Sequence, residues 1–179
     1  IVPENRTNVR EGSYGTNGWA GNQAIIPCMS EQWPDQLSKT DPARVALLLA
    51  EFWRILGRLP GLIGAGEHLL CAECTAALRR CVLELMLGLN GIAYPVGTQT
   101  LNRYLSASQR AAMERTLTAP SVAGEAWLGQ AVALVVIYRW YAPQLEEAYG
   151  LVHPMAVEAE TLALLQRELA DWPLSIRTD

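Results

Sequence analysis

No apolar run in the chain is long enough to cross a bilayer. The longest, from Ala126 to Tyr138, is interrupted by Gly129 and Gln130, whereas a membrane-spanning helix needs about 20 consecutive apolar residues. Positive charge is also scarce, because 14 Lys and Arg residues stand against 18 Asp and Glu residues. A nucleic-acid partner requires a basic surface that displaces counterions from phosphates. We therefore expect neither a membrane nor a nucleic acid among the partners.

Residues with nucleophilic or acid–base chemistry are few. The chain has two histidines, His68 and His153, and no Gly-x-Ser-x-Gly motif that would place a nucleophilic serine between a strand and a helix. A Ser/His/Asp hydrolase of that type is therefore not indicated. Half of the residues are hydrophobic and 18% are charged, which is the composition of a globular domain rather than a disordered chain.

Cysteine is present at four positions: Cys28, Cys71, Cys74 and Cys81. The Cys71-x-x-Cys74 pair has the spacing of half a zinc or redox site, but a zinc site needs four ligands and His68 is the nearest additional candidate. At 100° per residue Cys71, Cys74 and Cys81 share one helix face with leucines. We expect them to pack in the core, with metal or redox chemistry as the alternative. Free thiols favour a reducing cytoplasm.

The chain divides into two regions of different texture. Residues 1–40 are rich in Gly, Asn, Ser, Pro and Trp, and they predict a short irregular N-terminal arm. From Asp41 onward the apolar residues recur with a helical period. The predicted fold class is all-α, with an antiparallel helical bundle over residues 41–179, because short connections between long helices favour up-and-down neighbours.

Local signals predict where the first helices begin and end. Asp41-Pro42 is typical of a helix start, with Asp as N-cap and Pro at the first position, and this helix should end near Gly57–Pro60. The cysteine helix should reach about Leu89, with Gly91 in a left-handed conformation after its end. Ser106 and Gln109 predict a capping box for a helix that continues to about Leu117.

The most apolar helix is predicted to follow Ser121 as its cap and to reach Ala142-Pro143, with a continuation to Tyr149 after a kink. Its apolar residues extend around most of its circumference, which predicts a central helix surrounded by the others. A final helix should start at His153-Pro154 and run to about Trp172-Pro173.

Several stretches together resemble a known kind of domain: Phe52-Trp53-x-x-Leu56-Gly57-x-Leu59, Gly66-Glu67, Leu78-Arg79-Arg80, Leu85-Met86-Leu87 and Leu101-Asn102-Arg103-Tyr104-Leu105-Ser106-x-x-Gln109-Arg110. Over roughly residues 41–172 the chain resembles the C-terminal helical domain of bacterial antibiotic-modifying nucleotidyltransferases, similar to the lincosamide and aminoglycoside enzymes. The resemblance implies a helical domain that binds the small-molecule substrate and contributes to dimerisation.

The resemblance also implies a preceding catalytic domain, in which a Gly-Ser pair holds the nucleotide phosphates and an Asp-x-Asp pair binds Mg²⁺. Gly12-Ser13 is similar to the Gly-Ser element and is the candidate nucleotide-binding site. Where the Asp-x-Asp pair belongs, the chain has Asn22-Gln23, and amides do not carry the charge that holds Mg²⁺ tightly. We expect Mg²⁺ and a nucleoside triphosphate only if the catalytic half is intact. The alternative is that residues 12–21 form a turn-rich segment.

The candidate substrate-binding residues lie on or beyond the most apolar helix. Trp127, Tyr138 and Tyr141 form an aromatic stripe that could stack a nucleobase or an antibiotic ring, and packing in the core is the alternative. Glu146 could provide an acidic rim for a cationic substrate, with a solvated helix end as the alternative. The resemblance thus implies a nucleotidyltransferase-related protein in which residues 1–40 are a remnant of the catalytic domain. We expect it to be cytoplasmic, catalytically incomplete and homodimeric. The alternative function is a non-catalytic helical interaction module.

Overall fold

The first helix begins where the sequence predicts. The computed structural model describes residues 37–117, 121–173 and 175–176, and within them helix α1 runs from Pro42 to Leu56. The carboxylate of Asp41 accepts a hydrogen bond of 2.9 Å from the backbone N–H of Ala43, and Pro42 needs no N–H partner at the first position. The helix buries one face against the core, which includes Val45, Leu49 and Phe52.

A short helix that the sequence did not predict, α2, covers Leu59–Gly64 and leads into α3, His68–Leu89. Gly91 has φ +76°, which confirms the predicted left-handed residue after α3. Cys71, Cys74 and Cys81 are buried on α3, so their prediction as core residues is confirmed. The Sγ of Cys74 donates to the carbonyl oxygen of Ile55 at 3.4 Å, which fastens α3 to the end of α1.

A loop and a 3-10 turn at Leu101–Tyr104 connect α3 to helix α4, Ala107–Arg115. The predicted capping box is confirmed in both directions. Ser106 Oγ accepts from the N–H of Gln109 at 3.1 Å, and Gln109 Oε1 accepts from the N–H of Ser106 at 2.8 Å. These bonds occupy two of the amide donors that every helix start leaves without a partner inside the helix.

Helix α5 covers Gly124–Tyr149 and α6 covers Met155–Glu168, and both differ from their predicted bounds. Ala123, not Ser121, is the N-cap of α5, and no side chain caps this end. Pro143 does not end α5, because it lies on the exposed side of the helix and removes only one backbone donor. The left-handed Gly150 at φ +63° ends α5 instead.

Contacts between the helices fix their relative directions. Helices α1 and α3 are antiparallel, since Arg44 near the start of α1 pairs with Glu84 near the end of α3 at 2.9 Å. Helices α3 and α5 run in the same direction, because Trp127 contacts His68 at their starts and Tyr149 bonds to Gly88 at their ends. The expectation of antiparallel neighbours does not hold for this pair, because the connection between them crosses back through α4.

The centre of the bundle is α3 rather than α5. Helix α3 packs against α1, α2, α4 and α5, and its residues include fully buried Leu78, Leu85 and Leu87. Helix α5 packs on α3 with one side only, and Trp140 on its other side is 58% exposed. The prediction of α5 as the central helix is therefore wrong. A second side of α5 is also apolar, but α4 is short and covers only part of it.

The predicted all-α class is confirmed. The described residues contain no strand, and their one isolated bridge pairs Lys39 with Ile92. Leu37 packs against the core, so the helical unit includes residues that the sequence assigned to the N-terminal arm. In the parts of the chain that the structure describes, no helix combines the length and the apolar character that crossing a membrane demands.

Candidate functional site: the groove between α4 and α5

An apolar groove lies between α4 and α5. Its volume is about 530 Å³, within the range of about 300–1,000 Å³ that is usual for small-molecule sites. Helix α4 and its end contribute Ser108, Ala112, Arg115 and Thr116, whereas α5 contributes Ala133, Val136, Ile137, Trp140 and Tyr141. The spacing of three and four residues places each set on one side of its helix. We call this feature the α4–α5 groove.

Helix α4 is held to the bundle at both ends, which keeps the groove open between them. At its start the side chain of Asn90 donates to the carbonyl oxygen of Tyr104 at 2.8 Å and to Gln109 Oε1 at 3.1 Å. At its end Arg79 donates to the hydroxyl of Thr116 at 3.1 Å and to its carbonyl oxygen at 3.2 Å. Between these ends Met113 is buried in the core, whereas Ser108, Ala112 and Arg115 line the groove.

Arg79 is a positive charge without a carboxylate partner in the described part of the chain. Besides its two bonds to Thr116, it donates to Gln130 Oε1 at 3.2 Å. Burial lowers the pKa of Arg79, because the surrounding protein solvates the guanidinium less well than water does. An arginine nevertheless stays charged at neutral pH. A fixed positive charge therefore lies behind the Thr116 end of the groove.

The described residues that line the groove offer hydrogen-bond donors but no carboxylate. Arg115 forms no ion pair within the described ranges. Burial raises the pKa of the Tyr141 hydroxyl, so this group remains protonated and able to donate at neutral pH. Trp140 presents a large aromatic surface elsewhere in the same groove. The groove can therefore bind an apolar body and a hydrogen-bond acceptor together.

The structure divides the aromatic stripe that the sequence predicted on α5. Tyr138 is fully buried, stacks on Phe52 with ring centroids 4.3 Å apart, and donates its hydroxyl proton to the carbonyl oxygen of Leu49 at 3.0 Å. Trp127 is 8% exposed and donates to His68 Nδ1 at 3.2 Å. Both belong to the core, which was the alternative left open for the stripe. Tyr141 is the one residue of the three that lines the groove.

Sequence reasoning missed Trp140, Arg115 and the rest of the α4 wall. One signal was present, since Ser108, Ala112 and Arg115 recur at spacings of four and three along α4. The recurrence involves small and polar residues, so an apolar pattern could not identify it. Trp140 lies next to Tyr141 in the chain but is turned by 100° around the helix, outside the stripe counted from Trp127.

Glu146 lies in a polar cluster between α5 and α6, away from the residues that line the groove. His153 hydrogen bonds through one ring nitrogen to Glu146 and through the other to Glu158. Glu158 also accepts from Arg139 Nη2 at 2.7 Å. Each of these four side chains is less than one-third exposed. The cluster connects the antiparallel helices α5 and α6, so Glu146 has a partner that the sequence did not indicate.

This cluster predicts a pH-dependent contribution to stability. Burial lowers the pKa of His153, but hydrogen bonds to Glu158 and Glu146 outweigh it, so the pKa is raised above 6.5. The folded protein thus holds the His153 proton more tightly than the unfolded chain does. The stabilisation from this cluster is therefore complete below pH 6.5 and is lost as the pH rises through the pKa of His153 in the folded protein. The difference in free energy of unfolding between wild type and His153→Gln, measured by urea denaturation, should be larger at about pH 6 than at about pH 9. An unchanged difference would contradict the assignment.

A second cavity of about 400 Å³ has a different character. It lies beside Ile63 and the start of α5, and its lining includes the acidic residues Glu125, Glu168 and Asp171. Carboxylates are therefore near this second cavity and not among the described residues that line the groove. Within the described residues no group of three or more His, Cys, Asp or Glu side chains is arranged to hold a metal ion.

The candidate nucleotide-binding residues Gly12 and Ser13 lie outside the described residues. Comparisons with protein-family models, with curated proteins and with solved structures found no match to this chain.

Proposed function

We propose that residues 37–176 form the small-molecule-binding helical domain of a nucleotidyltransferase-related protein, and that the α4–α5 groove is its binding site. The observation that supports this most is the groove itself, a cavity of about 530 Å³ in which Trp140 and Tyr141 lie beside aliphatic side chains. Large apolar cavities with a few polar groups are the usual form of ligand sites. Such a domain would bind the molecule whose hydroxyl receives a nucleotide.

Nucleotide transfer itself is the part of this proposal that depends on a catalytic half. Gly12-Ser13 would hold the phosphates, but an Asp-x-Asp pair does not follow it in the sequence. Mg²⁺ and a nucleoside triphosphate are proposed only for a form that supplies those carboxylates. We further propose a cytoplasmic location, which the three free and buried thiols of α3 support.

Filling the groove should abolish ligand binding. The neutral fluorophore N-phenyl-1-naphthylamine should bind to the protein with one site per chain, and Ala112→Phe should weaken its binding by at least about tenfold, because the added ring occupies the cavity. The matched control is Ala111→Phe, which makes the same change at an exposed neighbour on α4. Fluorescence titration measures both, with circular dichroism to verify folding. Equal binding by the two variants would refute the groove as the site.

A second candidate is a non-catalytic interaction module that forms a homodimer. The specific observation in its favour is the exposure of Trp140, which is 58% exposed beside an apolar groove. Large exposed aromatic residues are enriched at protein interfaces. Sedimentation velocity of wild type and Trp140→Ser distinguishes the candidates, since a dimer that depends on this surface dissociates in the variant and a ligand site leaves the mass unchanged.

A further inference from the structure

The charge of the α4–α5 groove indicates the chemical class of its ligand. Arg115 is the one charged side chain among the described residues that line it. A guanidinium stays protonated at any physiological pH and presents several donors to an oxygen-bearing anion. A cationic ligand would find no carboxylate there and would be repelled by Arg115. The groove thus favours acceptors over donors in whatever occupies it.

Positive charge is concentrated at one end of the groove. Arg115 and Thr116 lie at this end, and Arg79 is bonded to Thr116 from behind and has neutral partners only. A smaller cavity of about 180 Å³ adjoins this end and is lined by both Arg115 and Glu125. Glu125 is exposed and forms no ion pair with Arg115. Arg115 is exposed as well, so solvent screens both charges. Because Glu125 forms no ion pair with Arg115, the donors of the guanidinium stay available to a ligand.

The aromatic surface lies toward the other end. Ala133 lies at the charged end, and Trp140 lies seven residues further along α5. At 1.5 Å per residue, the two positions are about 10 Å apart along the helix axis. A ligand that reaches both therefore needs an apolar, ring-bearing body with an anionic group about 10 Å from its far end. These dimensions match a small molecule and exclude a single ion.

We propose that the α4–α5 groove binds an apolar, ring-containing molecule with one anionic group, whose anion pairs with Arg115 and whose rings lie against Trp140 and Tyr141. This inference rests on the proposed function, because it names the ligand class of the same site. The proposed ligand therefore belongs to a different class from the aminoglycosides, which are polycations. A polycation would find carboxylates at the second cavity, beside Glu125, Glu168 and Asp171, rather than in the groove.

Two fluorophores with the same ring skeleton test the proposal. 8-Anilinonaphthalene-1-sulfonate differs from N-phenyl-1-naphthylamine only by its sulfonate, so their affinities isolate the effect of the anion. Arg115→Gln should raise the Kd of the sulfonate about three- to tenfold and leave that of the neutral probe unchanged, the size expected for one partly solvated charge-assisted bond. The matched control is Arg110→Gln, on the same helix but outside the groove lining, and it should affect neither probe.

Added salt should weaken the binding of the sulfonate probe and leave that of the neutral probe unchanged. The proposal is overturned if Arg115→Gln and Arg110→Gln weaken the binding of the sulfonate probe equally. It is also overturned if an aminoglycoside displaces the neutral probe from the groove. The binding site and the charge of its ligand are tested by different variants. If the neutral probe binds and Ala112→Phe abolishes this binding, the groove is a ligand site even when Arg115 has no effect. If Ala112→Phe and Ala111→Phe bind both probes equally, the proposed function is wrong as well.

Discussion

Replacing Trp53 by alanine should lower the free energy of unfolding by about 3–5 kcal/mol, the usual loss for a large aromatic residue in a core. Trp53 is fully buried, and its ring meets Tyr138 and Phe52 edge to face, with centroids 5.2 Å and 5.4 Å away. Its carbonyl oxygen accepts from the hydroxyl of Thr161 at 3.2 Å. The ring thus packs between α1 and α5, next to the backbone contact of α1 with α6, and its removal leaves a cavity in the core.

The matched control is Trp140→Ala, which deletes the same side chain at a position that is 58% exposed. It should cost about 1 kcal/mol or less, because water already contacts most of the ring. Urea denaturation followed by circular dichroism measures both variants. A similar loss in the two would mean that Trp53 is not at the centre of the packing.

A leucine at Gly88 should destabilise the protein by about 1–3 kcal/mol through overpacking. A Cβ added at Gly88 would already touch methyl groups of Thr40, Val45 and Leu145 at 3.5, 3.6 and 3.7 Å. These are ordinary contacts, so alanine fits, but the three further carbon atoms of leucine have no space between the helices. The hydroxyl of Tyr149 also bonds to the Gly88 carbonyl oxygen at 2.6 Å, and a displaced backbone would lengthen that bond.

The control is Gly129→Leu, the same substitution inside α5. Apart from its chain neighbours and the backbone of α5, no atom lies within 4 Å of a Cβ added at Gly129, and leucine favours a helix over glycine by about 0.5–1 kcal/mol. This variant should therefore be more stable than wild type, whereas Gly88→Leu should be less stable. Thermal unfolding measures the two signs directly. Stabilisation by both substitutions would show that α3 has room at Gly88.

The helix ends that the sequence predicted correctly depend on neighbours in the chain. Asp41 and Pro42 start α1, Ser106 and Gln109 start α4, and Gly91 follows the end of α3, all through contacts within five residues. Such signals need no knowledge of the fold. Prediction failed at Ser121, because the N-cap of α5 is Ala123, two residues later, and no side chain caps this end. At this end Gly124 packs so closely on α2 that an added Cβ would lie 3.1 Å from Ile63 Cγ2, and the local sequence does not reveal such a contact.

The groove could not be derived from the sequence in the same way. Helix α5 is apolar on more than one side, so its pattern does not say which aromatic residues face α3. Packing against α1 places Tyr138 in the core, where it stacks on Phe52, and leaves Trp140 and Tyr141 at the groove. Likewise, the role of Arg79 depends on Thr116, which is 37 residues away in the chain.

The sequence by itself determined the all-α class, most helix bounds and the burial of the α3 cysteines, because helical period and capping chemistry act over a few residues. The tertiary structure decided that α3 is central, that α3 and α5 run in the same direction, and that α4 stands far enough from α5 to leave a groove. These features depend on side chains far apart in the chain, such as Arg79 with Thr116 and Tyr149 with Gly88. Only the packing of the whole bundle brings them together.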